Sequence, residues 1–247
     1  MRAASIAGRR ILVTRAREDS EAWAKRLAGL GAFPVVFPCL VTEPVDDGAT
    51  SETLGRALSE AGWLLVPSPR AAACVARLLG GPPPPHVRIA AVGPATAHAC
   101  ESVLDRVDLV APGTTSASLG AEVGARLAAT ADPAGAGVVI AGALGGRDEA
   151  EEVLRSQGVS VIRVNVYRTL PAPSVERRED LTTVGIDDVL LASPSAVRGL
   201  LNTALVPPSA RVITIGPTTS SAATAAGLRV FAESRTPTLE GMIEVLG

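Results

Sequence analysis

The feature of this sequence that most constrains its fold is an internal repeat, in which one order of short motifs occurs twice. Leu27 and Gly31 recur with the same spacing as Leu154 and Gly158. Later motifs recur in the same order, as Ser-Pro pairs that begin at 68 and 193 and as Gly-Pro pairs that begin at 93 and 216. The repeat predicts two similar sets of structural elements in one chain.

Each half of the repeat alternates short apolar runs with longer amphipathic segments. Arg10–Thr14 and Trp63–Val66 are such runs, bounded by polar residues, which is typical of strands buried in a parallel sheet. Glycines such as Gly31 follow the amphipathic segments, where a helix commonly ends with positive φ. The predicted class is therefore α/β, with two similar doubly wound parallel-sheet domains. A short helix is also predicted over Val175–Leu181.

Two extended segments that end in proline, around 38–44 and 165–172, could be the places where the chain passes from one domain to the other. If each half folds by itself, the boundary lies near Ala131. If the chain crosses twice between domains, these segments are the crossings and could lie side by side as a two-stranded antiparallel linker ladder. We favour the second arrangement because both segments follow a strand and end at proline. Its parts are 1–37 plus 173–247 as domain one, 45–164 as domain two, and 38–44 and 165–172 as inter-domain crossings.

Charge and composition argue against several classes of partner. The net charge is −2 and no basic stripe is present, so nucleic-acid binding is not indicated. No segment reaches about 18 apolar residues, so we expect no membrane-spanning helix. The three cysteines, Cys39, Cys74 and Cys100, are scattered without CxxC spacing. That pattern is typical of a reducing compartment, argues against a zinc site, and leads us to expect a cytoplasmic protein.

Short polar turns follow the predicted strands, where ligands bind in doubly wound sheets. Such turns expose backbone N–H groups at helix N-termini, and the helix dipole favours anions there. Each Ser or Thr could also be only a helix N-cap. Recurrence of the turns in both halves nevertheless favours a cleft that binds a polyacidic ligand. The candidate binding residues are Thr14, Arg15, Ser68, Arg70, Thr96, Gly142, Arg147, Ser193, Ser195, Thr218 and Thr219.

Three candidates stand out by residue type. Arg70 and Arg147 begin predicted helices, where the dipole disfavours a cation, which makes them better anion-binding candidates than ordinary surface arginines. Tyr167 is the single tyrosine of the chain and lies in the second crossing. It is either a functional phenol or a half-buried strand aromatic. No GxGxxG, Walker, HExxH or GxSxG motif offers an alternative site.

At this level of detail the chain resembles the uroporphyrinogen-III synthase family, in an ordered set of motifs that runs nearly end to end. The matching segments are ILVTRA after the first strand, SPRA at Ser68–Ala71, VGPATA at Val92–Ala97, VYRT at Val166–Thr169, SPSA at Ser193–Ala196, IGPTT at Ile215–Thr219, and ESRTPTLEGM at Glu233–Met242. The chain departs from the pattern at Pro67, before the SPRA turn, and in the small-residue turn that begins at Gly142.

The resemblance implies a fold, a reaction and site residues. It implies two lobes with crossed connectivity and a linear tetrapyrrole substrate, hydroxymethylbilane, which bears eight carboxylates. The enzyme closes this chain with inversion of the last pyrrole and loss of water, through a proposed spiro intermediate and with no cofactor or metal. Tyr167 aligns with the family's candidate proton donor to the departing hydroxyl. The residues that align with cleft positions are Ser68, Arg70, Thr96, Arg147, Ser193 and Thr218.

A different class of function fits the same fold. A two-lobed sensor or regulatory module could bind an anionic ligand without turnover. We expect no additional winged-helix or basic C-terminal segment in this chain, so the enzyme is the favoured interpretation, with a monomer as its expected form.

Overall fold

A computed structural model describes residues 6–45, 47–113, 115–130, 137–146 and 149–246. Strands and helices alternate along most of these residues. The elements of the first half are β1 (Arg10–Val13), α1 (Arg17–Gly29), β2 (Phe33–Val36), β3 (Leu40–Pro44), α2 (Gly48–Glu60), β4 (Trp63–Val66), α3 (Pro69–Leu79), β5 (Arg88–Val92), α4 (Gly93–Leu104), β6 (Leu109–Ala111) and α5 (Ser116–Ala128). Those of the second half are β7 (Val138–Ala143), α6 (Glu149–Ser156), β8 (Val161–Pro171), β9 (Glu179–Asp180), β10 (Asp188–Leu191), α7 (Pro194–Thr203), β11 (Ala204–Leu205), β12 (Arg211–Thr214), α8 (Pro217–Ala225), β13 (Val230–Glu233) and α9 (Leu239–Glu244).

The chain forms two compact units, and neither is a continuous half of the sequence. The first unit consists of Met1–Thr42 with Thr169–Gly247, and the second of Glu43–Arg168. Each unit contains its own main sheet, with parallel strands and helices on both faces. The α/β class with parallel sheets is therefore confirmed.

The sheet of the first unit has the order β13-β12-β10-β1-β2, and its strand pairs are parallel. Its central strands are apolar because they are covered on both faces. In β1, Leu12 faces one core cluster while Ile11 and Val13 face the other. Counted from β2, this is the flavodoxin-like order 2-1-3-4-5.

The sheet of the second unit has the order β3-β8-β7-β4-β5-β6. Its five strands from β8 to β6 are parallel and repeat the order of the first unit, with β7 in the place of β1. In β4, Leu64 and Val66 face one core cluster and Trp63 and Leu65 face the other. The two sequence repeats thus correspond to one strand order, formed twice.

The sixth strand of this sheet, β3, runs antiparallel to β8. The N–H of Val45 donates to the carbonyl of Val166 at 3.0 Å, and the N–H of Ala172 donates to the carbonyl of Cys39 at 2.8 Å. The residue numbers of hydrogen-bonded partners therefore increase along one strand as they decrease along the other, which is the antiparallel pattern. Both strands contain a boundary between the units, at 42/43 and 168/169.

The amino edge of the first unit's sheet holds a buried carboxylate between two arginines. Asp188 has no accessible surface, and Arg9 donates to it through Nε at 2.5 Å and Nη2 at 2.9 Å. Arg211 donates to the same carboxylate at 2.8 Å and to the carbonyl of Leu246 at 2.7 Å. Hydrogen bonding to Asp188 raises the pKa of Arg9. This triad lies opposite the ligand-binding edge expected for such a sheet and fixes strand β10 against its neighbours.

The prediction of a helix over Val175–Leu181 is wrong. The structure has β9 there, paired with β11, followed by a short 3-10 turn at Leu181–Thr183. The carboxylate of Asp180 accepts hydrogen bonds from the N–H of Thr182 at 2.9 Å and from its hydroxyl at 2.6 Å. Such local side-chain bonds compete with a regular helix, and pairing with β11 favours the extended form before them.

Candidate functional site

The strand order places one topological switch point in each unit. It lies between β1 and β10 in the first unit and between β7 and β4 in the second, where the direction of strand addition reverses. Open α/β sheets bind ligands beyond the carboxyl ends of the strands at this point. Thr14 and Ser193 follow the ends of β1 and β10, and Gly142 and Ser68 lie at or follow the ends of β7 and β4. Four predicted site residues therefore lie at the switch points.

Ser68 and Ser193 have the same local geometry in the two units. Each is half-buried, has extended backbone angles, and caps a helix that begins with proline. The hydroxyl of Ser68 accepts from the N–H of Ala71 at 3.2 Å, and that of Ser193 accepts from the N–H of Ala196 at 3.1 Å. The capping role weighed from the sequence is thus observed at both positions. Each hydroxyl keeps its proton for donation to a ligand.

The predicted threonines differ in accessibility. Thr14 has no accessible surface and its hydroxyl donates to the carbonyl of Leu190 at 2.7 Å. Thr96 and Thr219 are also buried, in the first turns of α4 and α8. Burial leaves these three side chains little surface for a ligand. Thr218, which precedes Thr219 in the chain, is exposed and is the accessible member of the set.

Two further candidates of the first unit have neighbours of their own. The guanidinium of Arg15 lies 4.7 Å from the ring centroid of Trp23 and 3.9 Å from the carboxylate of Asp19. The hydroxyl of Ser195 accepts from Arg198 at 3.4 Å. Both candidates are half-buried after the carboxyl ends of β1 and β10.

In the second unit the structure brings Tyr167 and Arg70 together. The guanidinium carbon of Arg70 lies 5.2 Å from the ring centroid of Tyr167, although 97 positions of sequence number separate them. Tyr167 lies in β8 opposite Ala143 of β7, after an irregularity in the register. Its carbonyl accepts a hydrogen bond from the N–H of Leu144 at 2.7 Å. Phenol, guanidinium and turn thus form one group at the switch point of this unit.

Arg163 belongs to the same group and was not among the predicted residues. It donates to the carbonyl of Ala143 at 2.9 Å and to Oδ1 of Asn165 at 3.3 Å, and it lies 3.5 Å from the carboxylate of Glu151. Its side chain is largely buried over Gly142. The signal in the sequence was the alternation of polar with apolar residues in the segment Ile162–Val166, which placed an arginine and an asparagine on one strand face.

One predicted residue, Arg147, lies outside the described residues. Within the described ranges, no group of three or more His, Cys, Asp or Glu side chains could hold a metal ion. Across the same part of the chain, no helix combines the length and apolar character needed to cross a membrane.

The fold and these turns define a two-unit α/β protein whose sheets carry capped helix N-termini, hydroxyls and an arginine–tyrosine pair beyond the carboxyl ends of their strands. The sequence model described as "Uroporphyrinogen-III synthase HemD" matches residues 21–244. The chain belongs to the uroporphyrinogen-III synthase family.

Relatives by sequence carry consistent names. The chloroplastic uroporphyrinogen-III synthase of Oryza sativa subsp. japonica is 29% identical over 240 residues, which cover 95% of this chain and 78% of the rice protein. The porphyrin biosynthesis protein HemD of Ruminiclostridium josui is 26% identical over 253 residues, or 97% of this chain. The match covers 48% of the Ruminiclostridium protein, so the chain spans about half the length of that relative.

Solved structures of uroporphyrinogen-III synthases match this chain over nearly its whole length. The uroporphyrinogen-III synthetase of Helicobacter pylori superposes with a TM-score of 0.50 at 13% identity, covering 97% of this chain and 98% of that one. A mutant uroporphyrinogen III synthase of Thermus thermophilus gives a TM-score of 0.49 at 21% identity, covering 97% of both chains.

Proposed function

We propose that this protein is a uroporphyrinogen-III synthase, which cyclises hydroxymethylbilane with inversion of the last pyrrole ring and loss of water. The observation that carries the proposal is the family match over 21–244, which spans both units and the Tyr167–Arg70 pair. A tetrapyrrole substrate follows from the reaction. The reaction as written needs no cofactor.

The reaction depends mainly on how the enzyme positions its substrate. The substrate can lose its hydroxyl and close unaided to the unrearranged isomer, so the enzyme must hold the chain so that the other carbon is attacked. The capped N-termini of α3 and α7, each considered within its own unit, suit a carboxylate arm, because N–H groups and the helix dipole favour anions there. Arg70 and the exposed Thr218 add donors.

Tyr167 is the proposed proton donor. A phenol is protonated near neutral pH and can give its proton to the departing hydroxyl oxygen, so that water leaves. Its half-buried place beside Arg70 supports this role, because a donor must be held at a defined position.

A coupled assay tests the proposal. Porphobilinogen and its deaminase supply hydroxymethylbilane in the presence of this protein, and chromatography separates the isomers. We expect the rearranged isomer as main product. Formation of the unrearranged isomer alone, at the rate of the deaminase by itself, contradicts the proposal.

The proposal also covers the cellular compartment and the oligomeric state. We propose a cytoplasmic monomer; the three free cysteines support a reducing compartment. Light scattering after size-exclusion chromatography tests the monomer, and a mass of twice 25.1 kDa would contradict it.

A further inference from the structure

We infer that Arg70 is a positioning residue for Tyr167, whose ring it holds in the orientation needed for proton donation. The inference rests on the proposed function, because it assigns Arg70 a task in the reaction beyond contact with a carboxylate.

The geometry is that of a cation–π pair. The guanidinium carbon of Arg70 lies 5.2 Å from the ring centroid of Tyr167, within the range of about 6 Å over which a cation is attracted to a ring face. Both residues belong to Glu43–Arg168, so the pair lies within one unit.

The backbone of Arg70 is fixed by its place in α3. It is the second residue of the helix, between the N-cap Ser68 and Ala71, whose N–H bonds to the Ser68 hydroxyl at 3.2 Å. A cation in the first helical turn is disfavoured by the dipole. The electron-rich ring face of Tyr167 supplies attraction that offsets this.

The backbone of Tyr167 is fixed separately from its ring. Its carbonyl accepts from the N–H of Leu144, and Ala143, which lies opposite it in the sheet, is bonded through its carbonyl to Arg163. The side chain packs against the apolar cluster that includes Val164 and Val166. The remaining freedom is rotation of the ring about its side-chain bonds, which the stacked guanidinium restricts.

The guanidinium of Arg70 has a second role, which follows from the movement of the proton during the reaction. The phenol gives its proton to the hydroxyl oxygen of the substrate, the carbon–oxygen bond breaks with its electron pair on oxygen, and water leaves. Inversion then forms a bond at the substituted carbon of the last pyrrole, breaks the bond from that carbon to its bridging methylene, and joins the methylene to the unsubstituted carbon. The unsubstituted carbon releases one proton, and the phenolate of Tyr167 takes it back. Between these steps the guanidinium of Arg70 offsets the negative charge on the phenol.

A spectroscopic test needs no activity, because Tyr167 is the single tyrosine of the chain. Ring-labelled tyrosine gives one set of NMR signals. We expect Arg70→Leu to shift and broaden them, since the ring loses its stacked cation. The matched control is Arg77→Leu, an exposed arginine two turns later on α3, which leaves the signals in place. Unchanged signals in Arg70→Leu would show that the guanidinium of Arg70 does not hold the ring of Tyr167.

A kinetic cycle tests the role. Arg70→Leu is made alone and together with Tyr167→Phe, and formation of the rearranged isomer is followed in the coupled assay. We expect kcat to fall about tenfold when Tyr167 is present and less than about twofold when it is already Phe. Equal falls in both backgrounds, or a rise in KM alone, overturn the positioning role and leave Arg70 as a substrate ligand.

Two controls keep the outcomes distinct. If circular dichroism shows that Arg70→Leu does not fold, Arg70→Lys takes its place in the cycle, because lysine keeps the charge but loses the planar stack. If the unaltered protein forms no rearranged isomer, the proposed function and the positioning role both fail. If the synthase is active but the two substitutions have additive effects on kcat, only the positioning role of Arg70 is excluded.

Discussion

The guanidinium of Arg163 occupies the space that a side chain on Gly142 would need. A Cβ built on Gly142 would lie 2.7 Å from Nη2 and 2.8 Å from Cζ of Arg163. The same guanidinium bonds to the carbonyl of Ala143, so glycine and arginine together set the turn that leads to Leu144 and thus to the carbonyl of Tyr167.

We predict that Gly142→Ala displaces Arg163. Overpacking of this kind costs about 1–3 kcal/mol of unfolding free energy, and the displaced turn should also lower kcat. Urea denaturation and the coupled assay measure the two effects. In the Arg163→Ala background the same substitution should cost much less, because the clash is gone. An equal loss in both backgrounds would show that Arg163 is not the obstacle.

A second glycine, Gly199 of α7, lies against the backbone of Cys39. A Cβ there would overlap the carbonyl oxygen of Cys39, which accepts the hydrogen bond from Ala172 at 2.8 Å. We therefore predict that Gly199→Ala lowers the free energy of unfolding by about 2 kcal/mol or more. The matched control is Gly55→Ala in α2, with open space around it, which should raise stability by about 0.5–1 kcal/mol. Changes of the same sign in both variants would contradict the close approach.

We predict that a conservative substitution in the buried triad of Asp188, Arg9 and Arg211 strongly lowers the free energy of unfolding. Asp188→Asn keeps the shape of the side chain but leaves Arg9 and Arg211 without their carboxylate, at a cost of about 3–5 kcal/mol. Chemical denaturation measures it. Glu122→Gln, which removes the half-buried partner of the exposed Arg126 at 3.2 Å, should change stability by less than about 0.5 kcal/mol. Similar small losses in both variants would mean that the triad is dispensable.

Tyr167→Phe tests the proposed proton donor. It keeps the ring and removes the phenol oxygen, so kcat should fall about 100-fold or more while stability stays within about 0.5 kcal/mol. Single-turnover formation of the rearranged isomer and thermal unfolding measure the two quantities. Unaltered turnover would assign Tyr167 a structural role.

The thiol of Cys39 predicts a loss of stability at high pH. Burial raises its pKa from 9.0 to about 12, partly opposed by a hydrogen bond with Thr203. Above pH 9 the unfolded chain loses this proton while the folded chain keeps it. The contribution is therefore complete below pH 9 and declines as pH rises towards 12.

By pH 10 the expected loss is about 1 kcal/mol relative to pH 8. Urea denaturation at both values, compared between the unaltered protein and Cys39→Ala, isolates it from the other titrating groups. The same pH dependence in both proteins would show that the thiol does not contribute.

Much of each unit follows from local pattern. The apolar runs of β1 and β4 form central strands because only such runs can be covered on both faces. Ser68 and Ser193 cap helices because a hydroxyl before proline satisfies a free N–H. The exception, Val175–Leu181, shows that strand pairing overrides a weak helical pattern.

Sequence alone determined the α/β class, the repeat, and the turns after the strands, because these depend on the order and periodicity of neighbouring residues. Tertiary structure decided what depends on residues far apart in the chain. It joined β1 and β2 to β10 rather than to β4, buried Thr14, and set Arg70 against Tyr167. Both ways of dividing the chain satisfy the same local pattern, and only the pairing of strands across long loops distinguishes them.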